Sequence, residues 1–215
     1  MTTQPSVSQT YLIRPAVPED APAAAELIAM SLGGMGDALF GLGEHARQLR
    51  ALEALFRRRG SRFSHGLVHL AAQDGQTVGL LLAYPGAQQV ALNLGMFFQM
   101  WSIYGLAGGL RFTSLALRLA AYKEVEPGEL LVSNLAVLPP FWGQGIARSL
   151  LRRAEELAQG LGIRRMTLMV DMDNPRARNL YERTGYRLDL AHRTPHLASR
   201  LHTNGFDRMV KVLAG

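Results

Sequence analysis

LAVLPPFWGQGIARSLL, residues 135–151, sets an apolar strand end, a Pro139-Pro140 stop, a glycine-rich turn and the start of a helix end to end. Gly143 and Gly145 let the main chain come close to a ligand. The first free amides of the helix, at the positive end of its dipole, point into that turn. The arrangement suits a phosphate or pyrophosphate, although a plain strand-to-helix connection has the same local signature. It is not a Walker loop, because no Gly-Lys-Ser/Thr follows. Nor is it the dinucleotide fingerprint, which needs three glycines at another spacing in an N-terminal βαβ unit.

Outward from this stretch the order is regular. Residues 129–137 predict a strand running into it. Residues 146–159 predict a helix with one apolar stripe at 146, 147, 150, 151, 154, 157 and 158, closed by Gly160 and Gly162. A strand at 163–170, a helix at 175–184 ended by Gly185, a strand at 186–190 and a last strand at 206–213 follow. On the N-terminal side, residues 11–14 form a short strand before Pro15, and Pro18-Glu19-Asp20 opens an alanine-rich helix. Residues 37–59 carry a second helical pattern. Strands at 64–73 and 77–84 flank an Asp74-Gly75-Gln76 turn. A hairpin followed by strand, helix, strand, helix, strand implies a mixed α/β sheet with parallel neighbours in its second half. The whole chain, 1–215, is expected to form one domain.

Composition removes several function classes. With 48% hydrophobic and 19% charged residues the chain is too apolar for a disordered protein. It has no cysteine, so disulfides and Cys-ligated metals are excluded, and no metal site is expected. The first ten residues are polar without a basic-then-apolar leader, which points to a cytoplasmic address. The charge of +6 rests on 21 arginines and two lysines. They are dispersed, and the densest run, Arg57 to Arg59 with Arg62, ends a predicted helix where cations suit the dipole. A solvated surface able to attract a small anion fits better than a nucleic-acid stripe. Residues 84–110 carry no charge, long enough on paper for a membrane span of about 20 residues. Yet the stretch contains Gln88, Gln89, Asn93, Gln99 and Ser102, and strand-like segments lie on both sides of it, which a single span would separate if they belong to one sheet. It is read as a helical insertion, about 85–122, that covers a core or a pocket, with no membrane partner.

Residues 129–193 resemble the central motif of the GNAT superfamily, the Gcn5-related N-acetyltransferases. Leu135-Ala136-Val137, Gly143 to Arg148, a helix, a strand, Asn174-Pro175-Arg176-Ala177 and Leu180 to Tyr186 match its order and spacing. In the first half, Ile13-Arg14-Pro15-Ala16 with Glu19-Asp20 is similar to a common opening of the family, whereas the insertion lies outside its usual plan. The resemblance implies an α/β (α+β) fold: a central twisted mixed sheet of about seven strands flanked by helices, with the insertion before the cofactor-binding strand. It also implies acetyl-CoA as cosubstrate, bound by a core at about 129–193.

Within that resemblance, main-chain amides of Gly143, Gln144, Gly145, Ile146, Ala147 and Arg148 hold the pyrophosphate. The usual pattern has Arg or Gln where this chain has Trp142, so one donor is missing. Either Arg148 compensates or Trp142 simply packs under the loop. Leu135, Ala136 and Val137 lie where family members splay two strands and bond the pantetheine arm and acetyl carbonyl through free main-chain groups. An amide there would stabilise an oxyanion. Asn174, Ala177, Arg178 and Tyr181 share one helical face. Pro175 at the first helical position makes Asn174 the N-cap. The resemblance adds that Asn174 and Ala177 contact the cofactor and that Tyr181, which also borders it, protonates the departing thiolate. The alternative for Tyr181 is a core aromatic. A phenol with pKa about 10 needs a downshift or close positioning to protonate a thiolate near 8.5.

The general base is the least determined role. Some family members carry a carboxylate four residues before the Leu-Ala-Val position, which here is Leu131. Glu129 lies on the same strand face and is the candidate catalytic base through water, with Glu126, His65 and His69 behind it. Ordered water or an amine of low pKa would serve instead. The expected function is an N-acyltransferase that moves an acetyl group from acetyl-CoA to an amine of a small molecule or peptide by direct attack in a ternary complex. Without cysteine no thioacyl-enzyme can form. The alternative is a non-catalytic acyl-CoA-binding regulatory module. Phe97, Phe98, Met100, Trp101 and Tyr104 mark the insertion as an apolar acceptor pocket or the surface of a homodimer; no nucleic-acid partner is expected.

Overall fold

A computed structural model describes residues 11–41, 43–119, 124–193 and 203–214. The strands are β1 (Leu12–Pro15), β2 (Val68–Gln73), β3 (Gln76–Pro85), β4 (Glu129–Val137), β5 (Arg165–Asp171), β6 (Arg187–Arg193) and β7 (Gly205–Val212). They form one seven-stranded sheet in the order β1-β2-β3-β4-β5-β7-β6. The helices are α1 (Ala21–Leu32), the single turn α2 (Gly34–Gly36), α3 (His45–Arg57), α4 (Gln89–Leu119), α5 (Ile146–Gly160) and α6 (Pro175–Arg183).

The sheet is covered on both faces. On one, Leu27 and Ile28 of α1, Leu52 and Phe56 of α3 and Met100 of α4 pack with Leu80, Leu82 and Leu131. On the other, Leu150 and Leu151 of α5 and Tyr181 of α6 pack with Val78, Leu81, Leu130, Val132 and Leu168. The stripe foreseen on α5 is the buried one: Ile146, Leu150, Leu151, Ala154 and Ala158.

Three expectations need correction. The helical pattern at 37–59 is broken: a π turn, Asp37–Gly41, precedes a stop around Gly43, and α3 starts only at His45. The strand expected from residue 64 starts at Val68, because the Ser64 hydroxyl takes the Ser61 amide and a 3-10 turn, His65–Leu67, follows. Parallel pairing is confined to β4 with β5. β7 returns between β5 and β6, antiparallel to both.

β4 carries the feature that matters for function. Leu82 pairs with Asn134 and Ala83 with Val132, so Ser133 is an extra residue, a β-bulge. The bulge exchanges the faces of the strand. Before it Leu131 faces the α1 side and Val132 the α5 side, whereas after it Ala136 faces the α1 side and Val137 the α5 side. The parallel ladder with β5 ends here too, running only from Glu129↔Arg165 to Val132↔Leu168. Beyond it β4 stays paired to β3 as far as Val137↔Gly79, and β5 to β7 as far as Asp171↔Phe206. The two central strands therefore part company along a V-shaped cleft.

α4 leaves the sheet after Pro85, and Pro85 pairs with Leu130 of the returning strand. Gly86–Leu117 is long and apolar enough to cross a membrane by composition alone. Adjacent, paired strands at both of its ends put its entry and exit at one end of the same strand pair, which a single crossing cannot do. The helix is also bent, since Gly105 has φ 64° and ψ −163°. Across the bend the Trp101 indole N–H donates to the Thr113 hydroxyl at 3.3 Å.

Candidate active site

The glycine-rich turn sits at the open end of the cleft. Gly143 and Gly145 have φ of 80° and 82°, a left-handed conformation that disfavours any side chain. A Cβ at either would meet nothing within 4 Å, so the glycines serve backbone geometry and leave the turn open-faced. Gly145 is the N-cap of α5 and no side chain caps the helix. The first amides of a 15-residue helix thus face the turn without an internal acceptor. Gly143, Gln144, Gly145 and Arg148 are exposed while Ile146 is anchored in the core. These residues fit an anionic group well.

The other expected residues line the walls leading away from that turn. Leu135, Ala136 and Val137 occupy the stretch of β4 that β5 no longer pairs. Across the cleft, Asn174 caps α6, its Oδ1 accepting the Ala177 amide at 3.0 Å. Ala177 and Tyr181, on the same helix, pack with Val137 and Ile146 in one apolar cluster. The strand end, the turn and α6 are thus brought together as the motif order implied. Arg178 is drawn off to Glu182 and Asp207.

Tyr181 is 8% exposed, with its ring 5.9 Å from that of Tyr186 in an edge-on contact. Burial pushes its hydroxyl up to about 12, away from the downshift that would make it a strong acid. It is a neutral donor throughout the physiological range.

Glu129 does not have the surroundings of a base. Its carboxylate receives Arg165 Nε at 2.7 Å, Arg208 Nη2 at 2.5 Å and the Glu126 amide at 2.9 Å. Both guanidiniums also reach Asp189. It is 2% exposed at the closed end of the strand pair. Glu129 clamps β4, β5 and β7 together instead of taking protons in the cleft. His65 is likewise structural, its Nδ1 bonded to the Phe56 carbonyl at 3.0 Å. His69 lies with Ser149, Arg152, Arg153 and Glu156 in a separate recess beside β1.

One group escaped the sequence reading, and one residue that it weighed has different surroundings. On the α1 side of the bulge, Asn134 Nδ2 donates to the Ser31 hydroxyl at 2.8 Å, and the Ser133 hydroxyl to Asn134 Oδ1 at 3.1 Å. Arg62 joins Ser133, at 3.1 Å, to Glu124, at 2.9 Å. The signal was a polar Ser-Asn pair inside an otherwise apolar strand. The weighed residue is Trp142: it is not buried under the loop but 45% exposed, its indole N–H donating to the Val137 carbonyl at 2.5 Å while the Arg176 guanidinium lies 3.6 Å from its ring centroid.

The sequence profile of the Acetyltransferase (GNAT) family matches residues 40–186. The chain is 32% identical over 87 residues to mycothiol acetyltransferase of Beutenbergia cavernae, a match covering 40% of this chain and 28% of that protein. It spans well under half the length of the curated relatives it matches. A crystal structure of an acetyltransferase superposes with a TM-score of 0.72 at 24% identity, covering 94% of this chain and all of that one. An N-acetyltransferase from Staphylococcus aureus Mu50 gives 0.67 at 20%, covering 93% and 99%. At these identities the structural likeness concerns the fold.

Proposed function

The chain belongs to the GNAT acetyltransferase family, and from that premise we propose that it is a cytoplasmic N-acetyltransferase. It moves an acetyl group from acetyl-CoA to an amine of a small molecule or peptide. The observation that carries this reading is the end of β4–β5 pairing at Val132/Leu168 directly behind an uncapped, open-faced helix start. An anionic head group would sit on the amides of residues 143–148, and a thin arm would enter the gap beside Leu135 to Val137.

Acetyl-CoA supplies the activated thioester carbonyl. The chain's part is positional and electrostatic. Free main-chain groups of Leu135 to Val137 orient the arm and the carbonyl, and an amide there offsets charge developing on its oxygen. The amine attacks from the α1 side, where Ser31, Ser133, Asn134, Arg62 and Glu124 gather, forming a C–N bond as the C–S bond breaks. Tyr181 donates its proton to the departing sulfur. With Glu129 occupied by two arginines, the amine enters neutral, the N–H proton it sheds as the amide forms goes to water, and water returns a proton to Tyr181. Within the insertion, Met100 and Tyr104 turn to the core and border the acceptor side, while Val90, Leu94 and Phe98 offer an exposed face for a homodimer.

A non-catalytic acyl-CoA-binding regulatory module is the alternative, and the upward shift of Tyr181 is the observation on its side. Release of CoA thiol from acetyl-CoA across a panel of amines and peptides separates the two. Amine-dependent release that falls in Tyr181→Phe supports the enzyme. Binding of acetyl-CoA with no release above buffer, and no effect of Tyr181→Phe, rejects it.

A further inference from the structure

We propose that Arg176 and Trp142 form a clasp across the mouth of the β4–β5 cleft, in which Arg176 leaves the indole to grip the diphosphate of the bound cofactor. This rests on the acetyl-CoA reading above. The two residues belong to opposite walls. Trp142 precedes Gly143 on the β4 side, and Arg176 is the second residue of α6 on the β5 side. Their 3.6 Å stack therefore bridges the gap at the point where the open-faced turn lies.

Trp142 is held in place without being buried. It is 45% exposed, yet its N–H is anchored on the Val137 carbonyl, so the ring is a fixed platform. Arg176 makes no ion pair among the described residues, in contrast to Arg178, which is bonded to Glu182 and Asp207. A cation resting on an exposed ring is weakly held. A guanidinium against a phosphate gains paired, charge-assisted hydrogen bonds, so transfer from ring to phosphate is downhill. Arg148, exposed, is the third residue of α5, in the first turn after Gly145. The pair of cations then grips the diphosphate from both walls, and Arg176 is the one whose departure from Trp142 reports occupancy.

The test uses the full chain carrying Trp101→Phe, which leaves Trp142 as the one remaining tryptophan. Titration with CoA and with dephospho-CoA, followed by Trp142 emission and calorimetry, compares this parent with Arg176→Ala and Arg176→Lys. The expected result is a dissociation constant raised about tenfold or more in Arg176→Ala for both ligands. Arg176→Lys should fall in between, and the Trp142 emission change on binding should be lost in Arg176→Ala. Thermal midpoints should be unchanged, since Arg176 is exposed. Equal affinity of parent and Arg176→Ala, or a loss confined to CoA and absent with dephospho-CoA, overturns the assignment to the diphosphate. If the parent binds neither ligand, the acetyl-CoA reading itself fails and the clasp falls with it.

Discussion

In the proposed mechanism Tyr181 is the residue on which the chemistry turns, and its environment sets limits on what it does. A hydroxyl pushed up to about 12 by burial is never the ionised species at working pH. Its proposed contribution is a hydrogen bond and a proton that the thiolate takes only as it forms. Replacing it with Phe should lower kcat by about 10²-fold with little change in KM for acetyl-CoA, as read by steady-state thiol release. The same shift has a stability consequence. The folded value lies above the unfolded one near 10, so the stability tied to this group is complete below about pH 10 and is lost as pH rises through 12. Thermal midpoints recorded from pH 8 to 12 should be level to about 10 and then decline, less steeply in Tyr181→Phe. With Glu129 bound by two arginines and Glu124 by Arg62 among the described residues, log kcat/KM should climb with unit slope up to the acceptor's own pKa, about 8 for an α-amine and about 10.4 for a lysine. A plateau beginning near pH 6 to 7 would instead reveal a base on the protein.

The element that organises the site is β4, and its reading shows what a sequence displays and what it conceals. The strand limits 129–137, the helix start at 146 and the Asn174 cap were legible, because proline, glycine and the apolar stripe act locally. The Ser133 bulge was not, since one extra residue leaves composition and flanking pattern intact and shows only against the partner strand. Glu129 was misjudged for the same reason. Strand-face parity placed it near the chemistry, but its partners Arg165 and Arg208 lie 36 and 79 residues away. The order of β7 and β6, the kink at Gly105 and the delayed start of α3 also depend on contacts that no local pattern carries. Glu129→Ala should therefore behave as a stability mutant. It leaves Arg208, 7% exposed, with Asp189 as its remaining carboxylate and strips Arg165 of its buried partner, for a loss of about 3 kcal/mol in denaturant unfolding. In the turn, Gly145→Ala forces a side chain into a left-handed conformation at φ 82°, at about 1–2 kcal/mol. It should raise KM for acetyl-CoA while leaving the pH profile in place.

For the molecule as a whole, the +6 charge and the uncharged stretch divide the labour. The exposed Arg148 and Arg176 stand at the starts of α5 and α6, where the proposed cofactor brings its anionic groups, while α4 brings its apolar residues to both the core and the surface. Phe98 is 68% exposed and Met100 fully buried. Phe98→Glu should change folding stability by no more than about 0.5 kcal/mol, whereas Met100→Glu, which buries an unpaired charge, should cost several times that or prevent folding. Similar losses for the two would mean that the outer face of α4 is covered in solution. The most direct test of the central claim is a crystal structure of the chain with CoA. The expected result is a diphosphate within hydrogen-bond distance of the amides of residues 143–148, the arm between β4 and β5 beyond Val132, and the thiol turned toward Tyr181. CoA bound elsewhere, or β4 and β5 paired along their full length with the cleft closed, would contradict it.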